Sequence, residues 1–319
     1  MDEKKPTRQH AVMDITPSRR LLLQGLGTVA TMPLLPRLAR AQAGSLRRII
    51  PSTGEAIPAM GLGTWITFNV GDDRVARDEC AAVLRAFFAG GGGMVDSSPM
   101  YGSSQAGVGD ALQKIGRPAT LFAADKVWIA SGAAGAKQIE ESRRHWTVPR
   151  FDLLQVHNLV SWPEHLKTLQ AMKAAGQLRY VGITTSEGRR HREFEEVMRR
   201  ETLDFIQVTY NPVDREVEER ILPLAAERGI AVIVNRPFRQ GALTRRLARQ
   251  PLPGWATEIG AASWAQALLK FTLAHPSVTV IIPATSRVAH VQENIAAAGG
   301  TLPDAALRAR NAREVAALA

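Results

Sequence analysis

Residues 152–184 have the sequence DLLQVHNLVSWPEHLKTLQAMKAAGQLRYVGIT. Residues 152–157 and 180–184 are short apolar runs, which are typical of strands buried on both faces. Between them, residues 163–175 place apolar side chains at the spacing of a helix. A strand, a helix and a second strand in this order predict a βαβ unit, in which the helix joins two parallel strands.

The same alternation continues along the chain in both directions. The predicted strands are residues 57–65, 94–96, 120–127, 152–157, 180–184, 205–210, 230–234 and 278–282. The predicted helices are residues 78–88, 107–115, 133–146, 163–175, 189–200, 216–228, 262–274 and 288–298, and a further helix, 304–318, closes the chain. Eight strand–helix units predict the α/β class and a single-domain (β/α)8 TIM barrel over residues 44–319.

An open, doubly wound sheet is the alternative arrangement of the same elements. Such sheets bind dinucleotides through a Gly-x-Gly-x-x-Gly motif after the first strand. Here the corresponding residues, 61–65, have the sequence GLGTW, in which no third glycine opens a helix. No low-complexity linker divides residues 44–319 either, so the sequence favours one closed barrel.

The first 43 residues have the order of an export signal. The pair Arg19-Arg20 precedes the weakly apolar stretch 21–35, and the small-x-small pattern AQA follows at residues 41–43. This order is typical of a twin-arginine (Tat) signal peptide, which would carry a cytoplasmic precursor through the Tat export machinery to the periplasm or another exported location. The alternative is an amphipathic helix packed on the domain. The apolar stretch is too short and too interrupted to predict a membrane span.

Composition argues against several other functions. The formal net charge is +10, of which +4 lies in the first 43 residues, and the remaining basic residues are scattered rather than grouped with aromatic residues. This pattern does not predict a nucleic-acid partner. The single cysteine, Cys80, cannot form an intramolecular disulfide and is expected to be a small buried residue. The seven histidines form no metal-binding pair, so no metal is expected.

Three consecutive predicted strands end in residues whose side chains can take part in catalysis. Asp96 ends the second strand, Lys126 the third and His157 the fourth, while Tyr101 lies in the loop after the second strand. Because the carboxyl ends of barrel strands meet at one mouth, these four side chains are expected to lie close together. Each alone has an ordinary alternative, such as helix capping or packing, but four at consecutive strand ends favour a catalytic site.

These residue types can deliver a proton to a carbonyl oxygen. A free tyrosine has a pKa of ~10, and the Lys126 ammonium is expected to lower the pKa of Tyr101 by stabilising the phenolate. Asp96 is expected to hold Lys126 charged, and His157 to hydrogen-bond and position the carbonyl. Tyr101 then protonates the oxygen as hydride arrives at the carbon.

Over residues 46–300 the sequence resembles the aldo/keto reductase family. The segment from Asp96 to Tyr101 matches the family's Asp-x-x-x-x-Tyr-Gly motif, and Lys126 and His157 match its lysine and histidine in order and context. The resemblance implies a catalytic set of Asp96, Tyr101, Lys126 and His157, with Tyr101 as the proton donor. It also implies an NAD(P)-dependent oxidoreductase that interconverts a small-molecule carbonyl and an alcohol and binds its cofactor without a Rossmann motif.

The cofactor-binding residues follow from the same resemblance. Thr184 and Thr185 stand where the family has a Ser-Asn pair that holds the carboxamide, and Gln207 matches its carboxamide-binding glutamine. The segment 282–294 resembles the family's Ile-Pro…Glu-Asn signature at the adenine and 2′-phosphate. The candidate cofactor-binding set is Gly63, Thr64, Trp65, Thr184, Thr185, Gln207, Arg236, Pro237, Thr285, Arg287, Glu293 and Asn294.

Two departures from the family's pattern concern the cofactor. Many members place an aromatic residue under the nicotinamide after the seventh strand, where this chain has NRPF at residues 235–238. Members selective for NADP(H) often carry Lys and Arg where this chain has Ala284 and His290, and Arg287 is expected to compensate. NADP(H) is therefore expected over NAD(H), with weaker discrimination than in relatives that carry Lys and Arg.

Three tryptophans are candidates for a substrate pocket. Trp65, Trp128 and Trp162 follow the first, third and fourth predicted strands, where an apolar pocket would use them. Ordinary packing at the top of the barrel is the alternative. The loop 239–255 is expected to cover the pocket.

Two further functions are compatible with a barrel of this kind. A catalytically silent redox-sensing or interaction subunit would have the same fold but no need to keep Tyr101 or Lys126. A metal-dependent hydrolase would need paired histidines, which the sequence does not contain. The intact set of four residues favours the enzyme. The sequence does not identify the substrate, the direction of the reaction or the oligomeric state.

Overall fold

The computed structural model describes residues 46–318. Within this range eight parallel strands form one sheet, in which each strand pairs with its neighbours in the sequence. Parallel bridges join Met60 to Ile281 and Gly63 to Ala284, so the first and last strands of the sheet meet. The sheet therefore closes on itself, and the predicted (β/α)8 barrel is confirmed.

Strands and helices alternate around this barrel. Its strands are β3 (Leu62–Gly63), β4 (Met94–Asp96), β5 (Phe122–Val127), β6 (Leu153–Val156), β7 (Tyr180–Thr184), β8 (Phe205–Thr209), β9 (Ala231–Asn235) and β10 (Val278–Ile281). Its helices are α1 (Arg74–Ala89), α2 (Ser104–Ile115), α3 (Gly135–Trp146), α4 (Trp162–Ala174), α5 (His191–Arg200), α6 (Ile221–Glu227), α7 (Ala242–Leu247), α8 (Gly254–Glu258), α9 (Trp264–Leu273), α10 (Val288–Ala296) and α11 (Ala305–Leu318).

Side chains alternate between the inside and the outside of the barrel along each strand. On β5, Phe122 and Ala124 belong to the apolar cluster inside the barrel, whereas Ala123 belongs to the cluster beneath the helices. Because the period of a strand is two residues, Lys126 faces the interior and Asp125 faces the helices. The interior is thus apolar where the strands begin and polar where they end.

A β-hairpin precedes the barrel. It pairs β1 (Arg47–Ile49) with β2 (Ala56–Pro58) in antiparallel register. Ile57 is buried among the first inward-facing side chains of the barrel strands, such as Phe122. Glu55, in the turn, accepts a hydrogen bond from the Tyr180 hydroxyl at 2.5 Å. The hairpin therefore closes the end of the barrel at which the strands begin.

The prediction of one continuous strand over residues 57–65 is wrong. Its first part belongs to the hairpin, and only β3 belongs to the barrel. Pro58 has no N–H to donate to a sheet. Gly61 passes so close to the last strand that a Cβ there would lie 2.8 Å from Ile282 Cγ2. The chain therefore leaves one sheet and enters the other between these two residues.

Two other segments differ from their prediction. Residues 216–228 were expected to form one helix, but they form the 3₁₀ helix Glu216–Glu218 followed by α6. Pro223 explains the break, because proline is tolerated in the first turn of an α-helix and not in its interior. The predicted loop 239–255 contains the short helix α7 and the first two residues of α8.

The predicted signal peptide, residues 1–43, lies outside the described residues. Within residues 46–318, no helix has the length and apolar character needed to cross a membrane.

Candidate active site

A cavity of about 950 Å³ opens at the end of the barrel where the strands finish. Inward-facing residues at the ends of β4, β7, β8 and β9 line it, together with the loops that follow β3, β9 and β10. Its volume is near the top of the range of roughly 300–1,000 Å³ that is usual for small-molecule sites. The barrel thus brings residues that are far apart in the sequence to one cavity.

Asp96 and Lys126 form an ion pair inside the barrel. Their side chains are 1% and 0% exposed, and Lys126 Nζ donates both to Asp96 Oδ1 and, at 2.8 Å, to the carbonyl oxygen of Ser97. Asp96 Oδ2 accepts hydrogen bonds from Gln207 Nε2 at 3.0 Å and from Gln155 Nε2 at 3.3 Å. The carboxylate is therefore held by side chains from three other strands.

Tyr101 reaches the same point from the loop after β4. It ends a 3₁₀ helix, Pro99–Tyr101, that is capped by Ser98. Lys126 Nζ lies 5.1 Å from the centroid of the Tyr101 ring. The His157 ring meets the Tyr101 ring edge-on, with the centroids 5.7 Å apart and the planes at 88°. All four predicted catalytic side chains are therefore together at the mouth.

Burial and neighbouring charges determine the protonation states of the catalytic side chains. Burial raises the pKa of Tyr101 above its ordinary value of 10.0, and the charge of Lys126 only partly opposes this. Burial lowers the pKa of Lys126, but interactions led by the Asp96 carboxylate outweigh it and leave that pKa above its ordinary value. Burial, aided by Lys126, holds the pKa of His157 well below its ordinary value. The structure thus contains a phenol, an ammonium and a neutral imidazole. Lys126 lowers the pKa of Tyr101, as expected, but burial outweighs this effect and the net shift is upward.

His157 and the residue after it are held by the loop after β4 and by β7. Its Nδ1 lies 2.7 Å from Ser98 Oγ, in the loop after β4. The next residue, Asn158, has a φ of 52° and donates its N–H to Thr184 Oγ1 at 3.1 Å. These two contacts fix the imidazole beside Tyr101.

Amide and hydroxyl groups line the cavity beside the catalytic residues. Thr184, Thr185 and Gln207, which the sequence assigns to cofactor binding, line it. Thr185 Oγ1 donates to the carbonyl oxygen of Arg189 at 2.5 Å, so this hydroxyl is engaged within its own loop. Asn235 Nδ2 donates to the carbonyl oxygen of Thr185 at 3.0 Å. The end of β9 therefore presents an amide at the cavity, at the point where the sequence departs from the aromatic residue of many family members.

Three residues that hydrogen-bond groups of the site were not among those identified from the sequence: Gln155, Ser98 and Asn235. Gln155 pairs in register with Lys126, and Asn235 pairs in register with Thr209, so both face the barrel interior. The two-residue period of their strands was the signal that would have found them. No local pattern predicts the role of Ser98, because its partner lies 59 residues further along the chain.

Two loops meet across the mouth of the cavity. The Arg236 guanidinium, after β9, lies 6.0 Å from the centroid of the Trp65 ring, after β3. Arg236 Nη2 also lies 2.6 Å from Glu187 Oε1, in the loop after β7. Burial, followed by the charge of Arg189, lowers the pKa of Arg236. The other predicted cofactor residues in these loops, Gly63, Thr64 and Pro237, line the cavity as well.

The far end of the cavity is formed by the loop after β10 and by α10. Thr285, Glu293 and Asn294, which the sequence assigns to cofactor binding, line it, and His290 lines it too. The N–H of Arg287 donates to Thr285 Oγ1 at 3.1 Å, but the Arg287 side chain is exposed and does not line the cavity. Arg287 is therefore near the predicted position without facing the cavity.

Two of the three candidate pocket tryptophans lie elsewhere. Trp65 lines the cavity, but Trp128 and Trp162 do not. Gln138 pairs with both backbone polar groups of Trp128 and turns it outward, where it is 41% exposed. Trp162 begins α4, and its Nε1 donates to Glu193 on α5 at 3.0 Å. The prediction that these two line the pocket is wrong.

The loop 239–255 does line the cavity. Its contributing residues are Gln240, Gly241, Thr244, Ala248, Gln250 and Leu252. In the described part of the chain, no group of three or more His, Cys, Asp or Glu side chains is placed to hold a metal ion.

The donor groups of this cavity fit a nicotinamide dinucleotide. Near the catalytic residues, Thr184, Gln207 and Asn235 offer the hydroxyl and amide groups that hydrogen-bond a carboxamide. At the other end, the cavity reaches the N-terminal half of α10, where unpaired N–H groups favour phosphate. One continuous cavity joins the two ends, so an extended molecule can occupy both.

Comparison with known proteins gives a consistent result. The sequence model of the aldo/keto reductase family matches residues 59–311. Methylglyoxal reductase YeaE of Escherichia coli is 27% identical over 78% of this chain and 89% of its own length. The NADH-specific methylglyoxal reductase of the same organism is 26% identical over 64% of this chain and 71% of its own length.

Solved structures are similar over most of the barrel. An aldo/keto reductase from Klebsiella pneumoniae, in complex with NADP and acetate, has a TM-score of 0.70 and 25% identity, covering 82% of this chain and 93% of its own. A second structure from that organism, in complex with NADPH, has a TM-score of 0.69 and 26% identity over the same shares.

Proposed function

Because this chain belongs to the aldo/keto reductase family, we propose that the four residues at its barrel mouth carry out the family's reaction. The protein is an NAD(P)-dependent oxidoreductase that interconverts a carbonyl and an alcohol. In this proposal Tyr101 is the proton donor. The observation that carries it is that Tyr101 and His157 line one end of the cavity while the buried Lys126 ammonium lies against the Tyr101 ring.

Tyr101 and Lys126 provide the proton. Burial raises the pKa of Tyr101, so the phenol is protonated at neutral pH and able to donate. The phenolate that remains is stabilised by the adjacent Lys126 ammonium. Lys126 stays in place because Asp96 and the carbonyl of Ser97 hold its Nζ. In the oxidative direction the same phenolate accepts the proton of the alcohol.

His157 orients the carbonyl. As a neutral imidazole it hydrogen-bonds the substrate oxygen without adding a charge beside Lys126. Thr184, Gln207 and Asn235 are placed to hold the carboxamide of the cofactor. Bound NAD(P)H supplies the hydride. Trp65, at the mouth, contributes apolar surface that limits the access of water.

The first test is Tyr101→Phe, which removes only the phenolic hydroxyl. We expect kcat for methylglyoxal, the substrate named for two E. coli relatives, to fall about 10²- to 10⁴-fold, as is usual for the loss of a general acid. Dissociation constants for NADPH should stay within twofold of wild type. Tyr180→Phe is the matched control, because this tyrosine lies at the opposite end of the barrel.

Near-normal carbonyl reduction by Tyr101→Phe would show that another group donates the proton. An absence of turnover by the wild-type chain with a panel of aldehydes and ketones would instead favour the catalytically silent subunit, for which the comparisons give no support.

For the cofactor, we propose that NADP(H) is preferred over NAD(H) by a modest margin. Two similar structures contain NADP or NADPH, and one relative is named NADH-specific. Ala284 offers no charge to a 2′-phosphate, so the preference rests on Arg287, which is exposed beside the cavity-lining Thr285.

The test is a pair of dissociation constants, for NADPH and NADH, measured with each variant. Arg287→Ala should weaken NADPH binding up to about tenfold and leave NADH binding nearly unchanged, because a charge-assisted contact to phosphate is lost. Arg192→Ala, whose side chain is 94% exposed on α5, is the control. If NADPH stays strongly preferred in Arg287→Ala, the phosphate is held elsewhere.

For localisation, we propose export through the twin-arginine pathway, directed by residues 1–43. The proposal rests on the Arg19-Arg20 pair, the weakly apolar stretch and the AQA pattern at residues 41–43. Changing both arginines to lysine should leave an uncleaved precursor in the cytoplasm of a Tat-competent bacterium. Unchanged delivery to the periplasm would point to another route, and a periplasmic wild-type chain that begins at Met1 would contradict cleavage.

A further inference from the structure

Ser98 and His157 are in direct contact beside the catalytic tyrosine. Ser98 Oγ lies 2.7 Å from His157 Nδ1, and the two residues are 0% and 5% exposed. The contact joins the loop after β4 to the end of β6, and Ser98 also caps the 3₁₀ helix that carries Tyr101. One serine therefore contacts both His157 and the 3₁₀ helix that carries Tyr101.

The direction of this hydrogen bond follows from the neighbours of Ser98. The N–H of Met100 donates to Ser98 Oγ at 3.1 Å, which occupies one lone pair of the hydroxyl. In the described part of the chain, His157 Nδ1 is the other hydrogen-bond partner of Ser98 Oγ. The hydroxyl has one proton, and leaving it without an acceptor in a buried site is unfavourable. Ser98 therefore donates to Nδ1.

The protonation of His157 completes the argument. Burial holds the pKa of His157 well below its ordinary value, so the ring is neutral and carries one N–H. If Nδ1 accepts from Ser98, that N–H is on Nε2. His157 lines the cavity, and no described residue hydrogen-bonds its Nε2.

We propose that Ser98 is a positioning residue that selects the Nε2–H tautomer of His157 and so presents a hydrogen-bond donor to the carbonyl oxygen. The tautomer assignment depends only on this chain. Its use in catalysis rests on the proposed function. Without Ser98 both tautomers become available, and the Nδ1–H form presents a lone pair, rather than a donor, to the substrate oxygen.

The tautomer can be read directly by NMR of the full chain labelled with [15N]histidine. The two imidazole nitrogens have distinct shifts when protonated and unprotonated, and His157→Gln identifies the signals of His157 among those of the seven histidines. We expect a protonated Nε2 and an unprotonated, hydrogen-bonded Nδ1 in the wild type. Ser98→Ala and Ser98→Cys should move both shifts toward the average of the two tautomers.

Rescue separates positioning from a general structural role. Ser98 has an extended backbone, with φ at −165°, which threonine adopts readily, and Ser98→Thr keeps a hydroxyl that donates and accepts. Ser98→Thr should restore the wild-type shifts and most of the activity. Ser98→Ala should lower kcat about tenfold or more with little change in KM, because the partner that fixes the tautomer of a catalytic histidine is removed.

A wild-type spectrum with Nδ1 protonated, or unchanged shifts in Ser98→Ala, would overturn the proposal. Expected shifts together with unchanged kcat would refute the catalytic role while leaving the tautomer assignment in place. Expected shifts in a chain that reduces no carbonyl would count against the proposed function and not against the role of Ser98 as the partner of His157.

Discussion

At the scale of single residues, the Asp96–Lys126 pair serves stability and chemistry at once. Both side chains are buried, and Asp96 also accepts hydrogen bonds from Gln155 and Gln207. Removing one partner of a buried pair leaves an uncompensated charge, which is far more costly than removing both. The two roles can therefore be separated by comparing single and double substitutions.

We expect Lys126→Met to lower the free energy of unfolding by about 3–5 kcal/mol, because the Asp96 carboxylate stays buried without its counter-charge. Adding Asp96→Asn should restore most of that loss, since the amide is neutral and still accepts hydrogen bonds. Both variants should lose about 10²- to 10³-fold in kcat, because neither stabilises the phenolate of Tyr101. Urea unfolding and steady-state kinetics measure the two effects.

Recovered stability without recovered activity in the double variant is the decisive result. Activity that returns together with stability would mean that Lys126 acts only by holding Asp96, and the proposed role of its charge would be wrong.

The catalytic residues were predictable because each stands at a strand end, where the barrel fixes its neighbours. The same reasoning applied to Gln155 and Asn235 would have placed them inside the barrel as well. Trp128 and Trp162 were misplaced because a position after a strand does not determine where a loop side chain points. Gln138 and Glu193, which hold these tryptophans away from the cavity, lie on helices whose packing no local pattern describes.

At the scale of the elements, β5 carries two adjacent charged residues that face opposite sides. Lys126 faces the barrel, whereas Asp125 faces α2 and accepts hydrogen bonds from Gln105 Nε2 at 2.7 Å and from the N–H of Lys126 at 2.7 Å. Burial raises the pKa of Asp125 to about 7, although Lys126 opposes the shift. Because the protonation of this buried carboxyl changes with pH, the packing of β5 against α2 is expected to depend on pH as well.

The folded chain keeps the Asp125 proton between about pH 4 and pH 7, whereas the unfolded chain has lost it. Its contribution to stability is therefore complete at the acidic end of this window and is lost as the pH rises through about 7. A shift of this size corresponds to at most ~4 kcal/mol. We expect Asp125→Asn to flatten the fall in the free energy of unfolding across this window.

Urea unfolding of the wild type and of Asp125→Asn at pH 5 and pH 8 measures the difference. Asp72→Asn, which removes an exposed carboxylate, controls for the change in net charge. Parallel pH dependence in the wild type and Asp125→Asn would show that Asp125 is ionised in the folded chain throughout the window.

Element type was predictable where the apolar pattern was clear, as in the helix α4 and in the short buried strand β6, because burial imposes the pattern on the sequence. Boundaries were less predictable where a proline or a close backbone approach decides them. Pro58 and Gly61 split one apolar run between two sheets, and the second of these constraints depends on Ile282, which is distant in the sequence.

At the scale of the whole molecule, packing between the hairpin and the barrel contributes to the stability of the fold. Ile57 is 4% exposed and packs with the first inward-facing residues of the strands. We expect Ile57→Ala to lower the free energy of unfolding by about 2–5 kcal/mol, with kcat little changed because the catalytic residues lie at the other end. Val75→Ala, at a side chain that is 69% exposed, should change stability little.

Urea unfolding followed by assays on the folded fraction checks both parts of this expectation. A large loss of kcat in Ile57→Ala would mean that the two ends of the barrel are coupled.

Because the hairpin closes one end of the barrel, coenzyme and substrate must enter the cavity from the same side, and this affects the order in which they bind. Within the described residues, the cavity opens only where the strands finish, and Thr184, Gln207 and Asn235 face inward at the strand ends there. A substrate that approaches a nicotinamide held by these residues arrives from outside and blocks its exit. We then expect the coenzyme to bind before the substrate and to leave after the product. Oxidised coenzyme should therefore inhibit competitively against reduced coenzyme, whereas the alcohol product should not be competitive against it.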